Sequence, residues 1–331
     1  MNGPSDPARP SPLDVEGVTH RFSGVLALDG VAFRLDEPGI HGLLGRNGAG
    51  KTTLLQILAG QLRPGAGRVE IFGHDPFERA GTQAQLCLVR EGQRYPDGFR
   101  VHHVLRAAAL FFPHWDAGYA ARLAADFELP PRRAVTKLSR GMLSAVGVVV
   151  GLASRAPLTL FDEPYLGLDA VARQHFYDQL LADVAAHPRT ILLSTHLIDE
   201  IADLLQHVVV IDHGRVILRA DADDLRREAV ALTGPADDVE AVVGNLLGTG
   251  PGTALARERL GGVARVTVRV GGTAPVLPPG SAVRVEPVSL QRLVVHLTSS
   301  PAAPRDGATA AGGAPADADA GTTTTPQGAL R

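Results

Sequence analysis

The sequence predicts an α/β fold: a mainly parallel sheet covered by helices, followed by a smaller α/β unit. Three observations carry this. Strand-like apolar runs alternate with helix-like segments from residue 13 to about residue 229. Residues 101–154 interrupt the alternation, being helical in pattern with no strand, as an inserted helical subdomain would be. A composition shift at Thr233-Gly234-Pro235 then opens a region with its own helix and short strands.

In chain order, residues 1–12 are Pro-rich and expected to be disordered. Strands are predicted at 13–19, 31–35, 40–44, 68–72, 86–89, 158–161, 190–194, 207–212 and 215–218. Helices are predicted at 50–62, 101–112, 116–127, 140–154, 170–186, 197–205 and 221–229, with the helical subdomain at about 95–155. Beyond the main domain, 13–228, the extension at 234–298 reads as a helix at 237–247 and strands at 263–270, 282–286 and 292–298. So small a unit is marginal alone and is expected to pack on the main domain or on a twin. Residues 299–331 hold Leu330 as their one large apolar side chain and read as a disordered low-complexity tail.

Composition narrows the function. The net charge is −3, without the basic excess of a dedicated nucleic-acid binder. Cys87 is the single cysteine, which excludes an intramolecular disulfide framework and fits a reducing compartment. It sits on an apolar strand and reads as a small core residue. The longest apolar stretch, 143–161, is broken by Ser154, Arg155 and Pro157, so no spanning helix is predicted and membrane work would need a partner. Only Lys51 and Lys137 among the 32 basic residues are lysine, so a lysine that remains marks a place where arginine does not serve.

Lys51 lies in such a place. Gly45-Arg46-Asn47-Gly48-Ala49-Gly50-Lys51-Thr52 fits the phosphate-loop pattern G-x-x-x-x-G-K-[ST], with an apolar strand before it and a helix after it. The glycines let the backbone wrap anionic oxygens, and helix N-terminal amides point at them. Lys51 is expected to reach the β- and γ-phosphates, Thr52 to ligate Mg²⁺ and Thr53 to bond further along the triphosphate. A second motif, Leu158 to Glu163, is an apolar strand ending in two acids, where open α/β sheets bind ligands. Asp162 is placed for Mg²⁺, and Glu163 for polarising an attacking water as general base.

Further segments complete an ordered set: Phe22 upstream of the phosphate loop, Glu91-Gly92-Gln93, Leu138-Ser139-Arg140-Gly141-Met142, Pro164 to Asp169, and Ser194-Thr195-His196. Over residues 13–228 the sequence resembles an ATP-binding cassette (ABC) ATPase, possessing a P-loop NTPase core with a parallel sheet, an antiparallel β subdomain and a helical subdomain. The resemblance implies that Ser139 and Gly141 form the signature loop, which faces the γ-phosphate held by the opposite subunit. It implies that His196 contacts γ-phosphate, that Asp169 lies in a loop crossing between subunits, and that Phe22 stacks on adenine.

Two departures stand out. The usual signature is LSGGQ, and here Arg140 replaces the first glycine and Met142 the glutamine. The family's glutamine after strand 86–89 falls on Glu91 or Gln93, and an acid at Glu91 could itself ligate Mg²⁺. With Phe111, Phe112 and Trp115, these features resemble a bacterial export-type branch. The expected function is the ATP-hydrolysing subunit of a transporter, at the inner face of the membrane. It would dimerise with a second ABC subunit around two Mg-ATP and drive a separate membrane-spanning permease. A soluble ABC ATPase acting on translation or DNA is the alternative. It fits less well, because one phosphate loop is present and only 88 positions separate Lys51 from Ser139.

Overall fold

In the computed structural model, residues 10–299 are described, except 78, 250–252, 272–274, 276 and 278–279. Most of the N-terminus and of the tail expected to be disordered therefore lies outside the described residues. Ser11 does join the fold: its hydroxyl donates to Leu35 O at 2.5 Å.

Strands β1 (Leu13–Phe22), β2 (Val25–Leu35) and β4 (Ala66–Glu70) form an antiparallel sheet of order β2-β1-β4. The β1–β2 hairpin turns at Ser23 and Gly24, both at positive φ, as a two-residue turn demands. Six strands form the second sheet, of order β5-β6-β7-β3-β8-β9. These are β3 (Gly39–Leu44), β5 (Leu86–Arg90), β6 (Leu158–Asp162), β7 (Thr190–Thr195), β8 (His207–Asp212) and β9 (Arg215–Asp221). All pairs are parallel except β8–β9. Every residue of β3, β6 and β7 is buried, which is why these strands read as mainly apolar, with no alternation of exposed residues.

Helix α1 (Lys51–Leu58) follows β3, and the short α2 (Ala80–Gln83) precedes β5. The helical insert contains α3 (Val101–Phe111), α4 (Ala117–Asp126) and α5 (Arg140–Ala153). Then come α6 (Ala170–Ala186), α7 (Ile198–Ile201) and α8 (Ala222–Glu228). The helix anticipated at 197–205 breaks after one turn into a 3₁₀ turn at Ala202–Leu204. One apolar cluster joins the sheet to α3–α6, and a second joins it to α1 and the antiparallel sheet. Cys87 is buried in the first, and burial pushes its thiol up to about 12, so it acts as a core residue.

The C-terminal region is a four-stranded antiparallel sheet of order β11-β12-β10-β13. It uses β10 (Ala229–Pro235), α9 (Ala236–Thr249), β11 (Thr253–Leu260), β12 (Val263–Arg269) and β13 (Arg284–Pro287). The strand expected at 292–298 is instead helix α10 (Leu290–Ser299). Its buried Leu290, Leu293 and Val294, with Leu297 packed beside them, follow the helical spacing i, i+3, i+4, i+7. Ser289 caps it, accepting from Arg292 N–H at 3.3 Å. Helix α10 packs on α7, where Asp199 accepts from Ser289 Oγ and Gln291 N–H, both at 3.2 Å.

Candidate functional site

The sheet order sets β3 beside β7 and β7 beside β6, so three strand ends converge. Leu44 pairs with Thr195, and Asp162 with Ser194, at one edge. The loop after β3 is tied down at its back. Gly214 N–H donates to Ala49 O at 3.0 Å, and Asp29 N–H donates to Gly214 O at 2.9 Å. Gly50 has φ 107°, and a Cβ there would lie 2.7 Å from Ala27 O, so both backbone and space require glycine. Lys51 is 6% exposed, and its ammonium donates to Gly45 O at 2.8 Å and Arg46 O at 3.2 Å. Arg46, Asn47, Gly48 and Thr52 line the exposed side of the loop, while Ala49 and Thr53 turn further in.

Glu163 is the hub of the converging ends. Its Oε1 lies 3.5 Å from Lys51 Nζ. Its Oε2 lies 2.5 Å from His196 Nδ1 and accepts from Tyr165 OH at 3.3 Å. A carboxylate only accepts, so Nδ1 is the protonated nitrogen of His196. Glu163 has φ 47°, a left-handed conformation that costs a non-glycine residue about 1 kcal/mol. Its N–H is held by Ser194 Oγ at 3.2 Å, and Ser194 Oγ–H donates to Asp162 Oδ1 at 2.7 Å. Asp162 and Glu163 are both buried.

The structure thus brings Lys51, Asp162, Glu163 and His196 together. The remaining residues form separate groups. Ser139 caps α5, its Oγ accepting from Met142 N–H at 3.1 Å. Asp169 caps α6, its Oδ1 accepting from Ala172 N–H at 2.8 Å. Their loops pack closely, since a Cβ at Gly141 would lie 2.4 Å from Gly167 O. Both caps face solvent. Phe22 is 45% exposed at the β1–β2 turn and meets the His20 ring edge-on at 4.5 Å. The carboxylate of Glu91 bonds Arg140. Gln93 Oε1 accepts from Arg90 N–H at 3.3 Å, which uses that amide locally.

Chemically, the group offers the Lys51 ammonium and a carboxylate held between that ammonium and the Nδ1–H of His196. The donors suited to a metal are hard oxygens, the Asp162 carboxylate and the Thr52 hydroxyl. Mg²⁺ prefers this pattern, taking one or two carboxylates plus substrate phosphates and water.

Two contributors escaped the sequence reading. Tyr165 OH shares a 2.6 Å hydrogen bond with Thr195 Oγ1 and accepts from His196 N–H at 3.3 Å, joining Glu163 to the His196 loop. Burial raises its phenol, keeping it protonated as a donor. Ser194 links both acids. Each lies in a segment already singled out, but its contacts span about 30 residues of chain.

The geometry agrees with three kinds of similarity. The family described as ABC transporter matches residues 28–166. The daunorubicin resistance ATP-binding protein DrrA3 of Streptomyces coeruleorubidus is 33% identical over 229 residues, covering 65% of this chain and 70% of that protein. The Nod factor export ATP-binding protein I of Burkholderia pseudomallei is 33% identical over 215 residues, covering 62% and 70%. A solved ATP-binding subunit of an ABC transporter aligns with a TM-score of 0.60 at 26% identity, covering 66% of this chain and 92% of its own. A dimeric ATP-binding cassette bound to ADP and Pi shares the fold, with a TM-score of 0.56 over 63% of this chain and 98% of its own, at 19% identity. By sequence and by fold, the chain belongs to the ATP-binding proteins of ABC transporters.

Proposed function

We propose that the protein binds and hydrolyses ATP as one of two subunits that close around two Mg-ATP, driving a separate membrane-spanning subunit. The observation that carries this is the position of Glu163, held between Lys51 and His196 at the mouth of the phosphate loop. The loop amides and the Lys51 ammonium bind the β- and γ-phosphates. Thr52 and Asp162 would hold Mg²⁺, which when bound neutralises phosphate charge. Glu163 accepts the proton of the attacking water, and its bonds to His196 and Tyr165 fix its direction. His196 is placed to sense the γ-phosphate.

The exposed group supports the second half of the reading. The Ser139 and Asp169 loops pack on each other at Gly141 and Gly167, face solvent, and have their caps bonded to their own helices. A second cassette would supply the triphosphate to this face, and Phe22 would stack on adenine. Among the described residues no helix is long and apolar enough to cross a membrane, so contact with the bilayer would come through a permease. Relatives named for drug resistance and for Nod factor export support the outward direction. Their cargoes differ, so cargo choice is assigned to the permease.

The test is steady-state hydrolysis by the wild type and by Glu163→Gln. The wild type should hydrolyse MgATP, and the variant should bind it yet lose at least about a hundredfold in kcat. A wild type without ATP binding, or a fully active variant, contradicts the proposal. Co-purification with ribosomes instead of membranes would contradict the transport role alone.

A further inference from the structure

Arg140 and Glu91 are the two charged departures in the motif set, and the fold brings them together. Arg140 Nη2 donates to Glu91 Oε1 across 49 positions of chain. Glu91 directly follows β5, which runs parallel to β6 with Arg90 opposite Asp162. It therefore lies at the same sheet edge as Glu163. Arg140 is the first residue of α5, where the helix dipole disfavours a cation and favours an anion. The carboxylate that offsets this comes from the loop after β5 and so ties the helical insert to the sheet. Gln93 carries no charge to offset the guanidinium, and its amide oxygen accepts from Arg90 N–H at 3.3 Å.

We propose that Arg140 and Glu91 are a positioning pair for the nucleotide reaction. Arg140 holds the Glu91 carboxylate on the start of α5 and neutralises it, so that neither charge acts alone on the triphosphate. This rests on the ATP-site reading above. The pair is open to solvent, with side chains 65% and 43% exposed, so it adds little to stability. Its effect is on the local field. Removing the guanidinium leaves an anion beside the phosphates, whereas removing the carboxylate leaves a cation there. The two changes act on ATP affinity with opposite sign.

The experiment is MgATP steady-state kinetics for the wild type, Arg140→Ala, Glu91→Gln and the double variant, with a thermal melt of each. Arg140→Ala should raise KM for MgATP about fivefold, as an uncompensated charge near a partly screened site would. Glu91→Gln should lower KM about twofold, and the double variant should return to within about twofold of wild type. kcat should change less than KM, and the melts should coincide. KM shifts of the same sign, a double variant as impaired as Arg140→Ala, or losses that track the melts overturn the pair. A wild type that neither binds nor hydrolyses MgATP overturns both this proposal and the functional reading.

Discussion

The phosphate-loop group and the signature group are built in opposite ways. Around Glu163, each side chain bonds another functional side chain, and Lys51, Asp162, Glu163 and Tyr165 are buried. In the signature group, the Ser139 and Asp169 side chains bond the backbone of their own helices and stay exposed. The first group is a finished network within one chain, as electrostatic preorganisation requires. On the reading proposed above, the second is a surface that a second cassette completes. Variants in the first group should therefore damage chemistry in any assembly state, and variants in the second should act through assembly.

The largest expected effect is the loss of turnover in Glu163→Gln, which removes the charge at the centre of the buried group. Tyr165→Phe comes next. It keeps the ring in the core but removes the hydroxyl shared by Glu163, Thr195 and His196 N–H. A drop of about tenfold in kcat with unchanged ATP affinity is expected, corresponding to one or two buried hydrogen bonds. Equal effects on kcat and affinity would show that the hydroxyl supports the fold and not the reaction. On the exposed side, Ser139→Ala removes a helix cap worth about 1 kcal/mol. Its ATPase loss should shrink as protein concentration rises, because assembly is the step it weakens. A loss that is independent of concentration would break the contrast between the two groups.

The last prediction falls on stability and leaves turnover untouched, separating the fold's pH response from that of the site. His41 is buried on β3, stacked on His207 at 5.3 Å, and donates from Nε2 to Glu37 O at 3.0 Å. Burial, with the nearby His207 and Arg219 charges adding to it, lowers its pKa to about 4. The unfolded chain then binds the proton more tightly, so stability falls as pH drops from about 6.5 to 4, by up to about 3 kcal/mol. Chemical denaturation across that window should show the slope, and His41→Gln, which can keep the bond to Glu37 O, should flatten it. An unchanged slope would place the acid sensitivity elsewhere.

How much of this was legible in the sequence depended on distance along the chain. The phosphate loop is eight consecutive residues, and Asp162 and Glu163 end one apolar strand, so spacing alone exposes them. The bonds of Tyr165 and Ser194 join neighbouring strands and follow from sheet order, which no local pattern encodes. Arg140 and Glu91 were each visible as departures, but their pairing was not. In the C-terminal region, Leu290, Leu293 and Val294 are too few to separate a helical from an alternating pattern, and the Ser289 cap shows only in the folded chain. Strand β11 escaped notice because Arg257 to Leu260 are mostly charged and exposed, with no apolar alternation.

We propose that one chain holds one complete catalytic group and half of another site. The most direct test is the mass of Glu163→Gln in solution, by sedimentation velocity, with and without MgATP. The account predicts a monomer without nucleotide and a stable dimer with MgATP, carrying one ATP per chain. A variant that binds one ATP per chain and remains a monomer at all concentrations would contradict it.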